Sequence, residues 1–481
     1  MERKKVEENI WEIPISHKPG MRVPARIMAS DALMADMDEG VINQITNVAC
    51  LPGIRGYAWC MPDGHHGYGF PIGGVAAFDV NEGIISPGGI GFDINCGVRM
   101  VSADLTEEEV KPRLKELINE IFRSVPAGVG KSGFVNLNRK SFEDVMTSGA
   151  SWCQKNGYAF EADLDHIEQR GRIPGADPTV VSDRAFKRGL DQMGTLGSGN
   201  HYLEIQTVRF DEGCDRDLAN RLGVKESGQI AVMIHCGSRG FGHQIGTDYL
   251  QSFGKAMQKY GIKTNDRELA CAPINSPEGK AYYGAMACAA NTAFANRQVI
   301  TDAIRKSFSK IFGKPVDRLG MNLVYDVAHN IAKFEKYDIN GKSTPVLVHR
   351  KGATRAFGPG NPELPGIFRE IGQPVLVGGS MQTGSYLLVG TKKAEQLTFG
   401  STLHGAGRVM SRSRAKRQIR GSDLQQMMEK DGIIVKAASF AGLAEEAGFA
   451  YKNISEVVRV VDSIGISKRV ARLLPLANIK G

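Results

Sequence analysis

The chain has 481 residues, 42% hydrophobic and 23% charged, and 60 Lys/Arg against 52 Asp/Glu leave a net charge of +8. That balance is ordinary for a globular protein with a large core and excludes a collagen-like or low-complexity chain. The charged start Met1-Glu2-Arg3-Lys4-Lys5 has no apolar run behind it, no 18-residue apolar stretch follows, and the 8 cysteines form no CxxC pair. The expectation is a cytoplasmic, reducing setting without a membrane span.

Along the chain, Asp63-Gly64-His65-His66-Gly67 reads as a polar turn, with Asp63 expected near a metal and His65 a weaker candidate. Asp93-Ile94-Asn95-Cys96 also reads as a turn, able to aim Asp93 and Cys96 at one cation; the bland alternative is a capping Asp and a buried Cys. Thr106 with Glu109 fits a capping box that opens a helix with the apolar stripe Leu114, Leu117, Ile118, Ile121 and Phe122. His201 follows a Gly/Ser-rich loop. Short apolar strands are expected at Ile230–Ile234 and Leu323–Val327, with His235 and His329 directly after them. Between them, residues 279–312 read as one long helix stopped near Gly313 and Pro315.

Further strands are expected at Val346–Val348, Val375–Val377 and Tyr386–Val389, and a strand-like Leu397-Thr398-Phe399 run before His404-Gly405-Ala406-Gly407-Arg408. Small residues around His404 would leave its ring accessible as a nucleophile, with loop amides and Arg408 suited to a phosphate. The loop Gly378-Gly379-Ser380-Met381 through Ser385 offers amides and hydroxyls of the same kind but matches no nucleotide fingerprint. Residues 401–481 hold 14 Lys/Arg and 7 Asp/Glu, and Arg408–Arg420 is wholly basic in its charges. A polyanion such as RNA would fit there, as would a plain solvated face. A last helix is expected around Val457–Ile464.

Single histidines beside strands are usually core residues. Asp93, Cys96, His201, His235 and His329 together are enough for two ions, with Cys96 bridging, Asp93 and His201 on one, His235 and His329 on the other. Ligand type suits Zn or Mn. The 57 glycines, about 12% against a usual ~7%, fit many ligand-facing loops. The chemical phrases run from Asp63 to Lys480 with no repeat or linker. The fold class expected is therefore α+β: mixed sheets flanked by helices, in one interwoven domain over residues 1–481.

Read in order, these phrases resemble the RtcB family of tRNA-splicing RNA ligases. The matching stretches are Met61–Gly67, Gly91–Arg99, Gly197–His201, His235–Gly240, Asp326–Asn330, His349–Thr354, Gly378–Met381 and His404–Arg408, spanning most of the chain. Gly64 stands where the family pattern expects Val. The resemblance implies a GTP- and Mn(II)-dependent ligase joining RNA 2′,3′-cyclic phosphate or 3′-phosphate ends to 5′-hydroxyl ends. It implies His404 as the residue that takes GMP, with Asp63 as its catalytic neighbour, and the same two-ion partition as above. Guanylate contacts would come from Asn200, His201, Tyr202, Leu203, Glu204, His329, Asn330, Gly378, Gly379, Ser380, Met381, Ser385, His404, Gly405, Ala406, Gly407 and Lys480. Arg188, Arg239 and Arg412 would hold RNA phosphates. tRNA halves and broken RNA are the implied substrates, and an archease-like activator the implied partner. The rival readings are a binuclear metal phosphoesterase, which needs no covalent histidine, and an RNA-binding protein with a structural zinc, which the missing CxxC pairs disfavour.

Overall fold

Two large sheets organise the computed structural model, which describes residues 3–481; Met1 and Glu2 of the charged start lie outside it. The first sheet runs Lys4–Glu7, Ile10–Ile13, Ala25–Met28, Ile54–His65, Ile72–Asp79, Lys342–Lys351, Asn330–Ile339. The second runs Asn322–Ala328, Gly97–Thr106, Gln229–Cys236, Tyr202–Arg209, Ser467–Lys480, Ser385–Gly390, Pro374–Val377, with Ile434–Ala437 lying parallel to Ser467–Lys480. The class is α+β, as the mixed pattern of periods implies.

Register explains why distant ligands meet. In the second sheet Gly97 pairs with Ala328 on one side and with Cys236 on the other. His235 pairs with Tyr202, and Tyr202 with Lys480. One end of this sheet therefore presents the positions next to Cys96, His201, His235, His329 and Lys480. Every residue of Gln229–Cys236 is buried, so the strand is covered on both faces and its Ile230–Ile234 stretch reads as an unbroken apolar run.

The long helix is Pro277–Phe312. Ser276 caps it by accepting from the Gly279 amide, Pro277 sits in its first turn, and Gly313 in the left-handed region ends it. The capping box at Thr106 and Glu109 forms as expected. The helix behind it is broken, however: Glu107–Val110 passes through a 3-10 turn at Lys111–Arg113 into Leu114–Ser124. Pro112 lacks the amide that a continuous helix would need. Ile454–Ile464 is the expected last helix.

Two expectations fail. Leu397–Phe399 is not a strand: Lys392–Thr398 is a helix, closed by Phe399 at φ +51°, and the strand before His404 is Ser401–Leu403. Thr391 caps that helix by accepting from Ala394, so Leu397 falls in its last turn and Phe399 at its end. Asp63 is not at a turn: it lies in Ile54–His65, in a stretch where pairing with Ile72–Asp79 is interrupted between Cys60 and His65. Polar residues there signalled a buried functional strand and not a solvent-facing loop.

A second, small apolar cluster of Met381, Leu424, Met428, Ile433, Val435, Leu443 and Ala447 sits apart from the main core. It packs the helices Gly421–Lys430 and Phe440–Glu445 beside the 378–381 loop, and Arg412–Gln418, which carries most of the basic stretch, lies against Phe440–Glu445.

Candidate active site

Asp93–Cys96 is a tight turn closed by the Cys96 amide on the Asp93 carbonyl at 3.0 Å, with Asn95 at φ +54°. It aims Cys96 Sγ at His201 Nε2 (3.3 Å) and His235 Nε2 (3.1 Å). His235 Nε2 lies 3.2 Å from His329 Nε2, and His201 Nε2 lies 2.7 Å from Asp93 Oδ2. Two triads follow, Asp93/Cys96/His201 and Cys96/His235/His329, each with ligand atoms within 4.8 Å of one another. The five residues expected from sequence as ligands are brought together in these two groups.

The protonation pattern fits cations. His201 Nδ1 faces the Leu196 carbonyl at 3.0 Å and His235 Nδ1 the Asn200 carbonyl at 3.1 Å. A carbonyl accepts only, so His235 Nδ1 carries the hydrogen and its Nε2 turns its lone pair inward, as a metal-ligating imidazole does; His201 Nδ1 also meets a donor, the Arg239 guanidinium. The acceptor at His235 Nε2 then faces His329 Nε2, and the Asp93 carboxylate has an Oδ1 that is buried without a partner. A divalent ion at each triad would satisfy those groups. Burial, then neighbouring imidazoles, push His235 and His329 well below the ordinary value and keep them neutral. Burial opposes charge on His201, but Cys96 and Asp93 outweigh it and raise its pKa. Against burial, His201 and Arg239 hold Asp93 well below the carboxylate range.

His404 stands beside this cluster, its ring centroid 4.7 Å from that of His329. Asp63, fully buried, accepts from His404 Nδ1 at 2.6 Å and from the His404 and Gly405 amides at 3.1 and 3.2 Å, all at Oδ2. Burial works against its charge, yet His404 keeps the Asp63 carboxyl below its ordinary range. Nδ1 is thereby fixed as the protonated nitrogen, leaving Nε2 as the nucleophilic one. Asp63 thus orients His404 and belongs to neither metal triad. Lys452 donates to the Pro62 and Gly64 carbonyls on either side of it. Gly407, at φ +76°, must be glycine: a Cβ there would run into the Asp63 carbonyl.

A cavity of about 1090 Å³ joins these groups. Asp93, Cys96, Asn200, Tyr202, Glu204, His235, His329, Asn330, Gly378–Met381, His404–Gly407, Arg412 and Lys480 all line it. Lys480 Nζ lies 3.4 Å from the Gly199 carbonyl and 5.5 Å from the Tyr202 ring centroid. Glu204 is bonded to Gln206 and Asn478; burial lifts its pKa to about 7, against the pull of Lys480. Three expected contacts stand outside the lining: His201, turned toward Asp93 and Cys96, Leu203, whose side chain is in the core, and Ser385, with its hydroxyl 3.4 Å from the Gly379 amide. Arg188 and Arg239 also lie off the cavity. Arg239 reaches His201 Nδ1 at 2.8 Å, and Arg188 bonds Gln244. The Arg408 guanidinium is already engaged by Met410, Glu445, Glu446 and Tyr451.

Several supporting groups escaped the sequence reading. Arg297, on the long helix, forks onto Asp326 and donates to the Asn95 and Cys236 carbonyls, each at 2.8 Å, bracing both ligand loops. Asn296 holds Thr195 and Cys236; Asn330, already expected at the guanylate, also holds the Asp93 carbonyl at 3.1 Å. Lys351 lines the cavity while donating to the Phe70, Gly88 and Tyr68 carbonyls, and burial lowers its pKa to about 7. The polar residues inside an otherwise Ala-rich helix were the available signal.

Residues 44–481 match the family model described as tRNA-splicing ligase RtcB. Among relatives bearing that same name, one from Archaeoglobus fulgidus is 55% identical over 478 residues, covering 99% of this chain and 98% of the relative. One from Methanococcus maripaludis is 51% identical over 477 residues, covering 99% of each chain. One from Thermococcus kodakarensis is 50% identical over 479 residues, covering 99% and 98%.

Proposed function

The chain belongs to the RtcB family, and on that premise we propose that it is an RNA ligase acting in tRNA splicing and RNA repair, dependent on GTP and Mn(II). It joins a 2′,3′-cyclic phosphate or 3′-phosphate RNA end to a 5′-hydroxyl end. The observation that carries the reading is the His404 ring, its Nδ1 tied to buried Asp63 and its other nitrogen free beside two cation-type triads. A phosphoesterase would use the triads but has no need of a histidine so oriented.

In this reading Nε2 of His404 attacks the α-phosphorus of GTP in line, and the bond to the β-phosphate oxygen breaks, releasing pyrophosphate. Asp63 stabilises the positive charge that the ring gains. An oxygen of the RNA 3′-phosphate then attacks the same phosphorus, His404 leaves, and an RNA-3′-pp-5′-G end results. The 5′-hydroxyl attacks the 3′ phosphorus, losing its proton as GMP departs. A cyclic phosphate is first hydrolysed to the 3′-phosphate. Two Mn(II) ions, one on Asp93, Cys96 and His201 and one on Cys96, His235 and His329, would supply Lewis acidity for charge that builds on the phosphoryl oxygens. Glu204 and Lys480, which line the cavity, are assigned to the base, and the loop amides at 378–381 and 405–407 to the phosphates. Arg188, Arg239 and Arg412 are assigned to RNA backbone, and an archease-like activator is the proposed partner.

The test is incubation with α-labelled GTP and Mn(II). Wild type acquires an acid-labile, hydroxylamine-insensitive label that His404→Ala lacks. A protein that cleaves phosphoesters but never takes the label overturns the reading in favour of a phosphoesterase.

A further inference from the structure

Glu446 is 2% exposed, and its carboxylate gathers four cavity-lining groups from separate segments. Arg408 NH1 lies at 3.3 Å, Arg412 Nε at 3.4 Å and Lys480 Nζ at 3.6 Å, and the Tyr451 hydroxyl donates to it. Three cations thus share one buried carboxylate. The adjacent Glu445 relieves little of this, since it pairs with Lys416 at 2.8 Å and reaches Arg412 only at 3.8 Å. The cations differ in situation. Lys480 is buried at the nucleotide wall, over Tyr202 and beside Gly199, whereas Arg412 is 48% exposed on its side chain at the first position of Arg412–Gln418.

We propose that Glu446 is a positioning residue that divides these cations between the two ligands. It holds Lys480 in place for the nucleotide and, by occupying Arg412, tempers the grip of the cavity mouth on RNA phosphate. The inference rests on the ligase reading above. Its reasoning is electrostatic. Without the carboxylate, Lys480 keeps only the more distant influence of Glu204 and feels Arg412 as a like charge, as its opposed influences indicate. Arg412, freed from Glu446 and already half in solvent, turns to any phosphate that approaches. Loss of one charge should therefore weaken nucleotide use and strengthen RNA binding. A merely structural role moves both the same way.

The experiment compares wild type, Glu446→Gln and Glu446→Asp, each with Mn(II). One arm measures KM and maximal rate for labelling by α-labelled GTP. The other measures binding of a single-stranded 3′-phosphate RNA oligonucleotide, without GTP, across a salt series. For Glu446→Gln we expect a GTP KM raised about tenfold with a maximal rate changed by less than about threefold. RNA affinity should rise, and its salt dependence steepen by about 0.7 for each guanidinium released. Glu446→Asp, which keeps the charge, should recover most of the KM. If both affinities stay unchanged, or both weaken together with a lower melting temperature, the proposal is overturned. Should Glu446→Gln not fold, the same comparison is made between Arg408→Gln and Arg408→Gln/Glu446→Gln, where the lost cation offsets the lost carboxylate. A wild type that takes no label overturns the ligase reading instead, and the RNA arm still tests the restraint on Arg412.

Discussion

Replacing Asp63 by Asn isolates one charge. Asp63 Oδ2 receives three donors: the His404 ring nitrogen at 2.6 Å and two backbone amides at 3.1 and 3.2 Å. An Asn carbonyl has the same shape and can keep accepting from all three, so the loop geometry survives. The anion opposite an imidazole that becomes positive as it captures phosphorus does not. A hydrogen bond to a charged group is worth roughly 1.5–3 kcal/mol net, which corresponds to labelling about 10- to 150-fold slower. The assay is the single-turnover rate of acid-labile GMP incorporation at saturating GTP and Mn(II). KM for GTP should change little, and bound Mn(II) not at all, because Asp63 is in neither triad. A rate within about threefold of wild type would refute the assignment of Asp63 as the group that orients and stabilises the His404 ring.

Three further outcomes are expected. Cys96 is common to both triads, so Cys96→Ser should lower Mn(II) stoichiometry at both sites while His329→Ala spares one, read by equilibrium dialysis. Glu204 has its folded pKa raised from 4.5 to about 7 by burial, so the unfolded chain releases its proton first. The stability it allows is complete below about pH 4.5 and is lost as pH rises through 7. Glu204→Gln should therefore gain relative to wild type between pH 5 and pH 8, by at most about 3 kcal/mol, in urea unfolding at the two pH values. An unchanged difference would count against a carboxyl strained by burial. Removing Lys480 and Gly481 takes the ammonium from beside Tyr202 and Gly199 and should raise the GTP KM with metal binding intact. Labelling kinetics like those of the full chain would exclude Lys480 from the nucleotide wall.

The ligand set was legible because metals demand rare residue types, and His and Cys beside glycine stand out in any chain. Strands were legible where both faces are buried, as at Ile230–Ile234, since continuous apolar runs need no partner to be recognised. The segment before His404 misled because three residues, Leu397–Phe399, carry too little periodicity to separate helix from strand, and the deciding cap at Thr391 lies six residues upstream. Asp63 was found but given the wrong surroundings: its partner, His404, is 341 positions away, and no local pattern encodes such a pairing. The same holds for Glu446, whose role depends on Arg408, Arg412, Tyr451 and Lys480 arriving together. Arg297 was hidden for another reason. A buried guanidinium in a long helix looks like a surface residue until the carbonyls it holds are known.

The braces that Arg297 places on the Asn95 and Cys236 carbonyls bear on when the two triads come together. Here Asp93 and His329 belong to segments that only the sheet ends and one rigid rod bring together, so an unfinished polypeptide offers neither pocket whole. Neither triad is complete until folding has set the spacing, and the helix that sets it acts as a gauge for both.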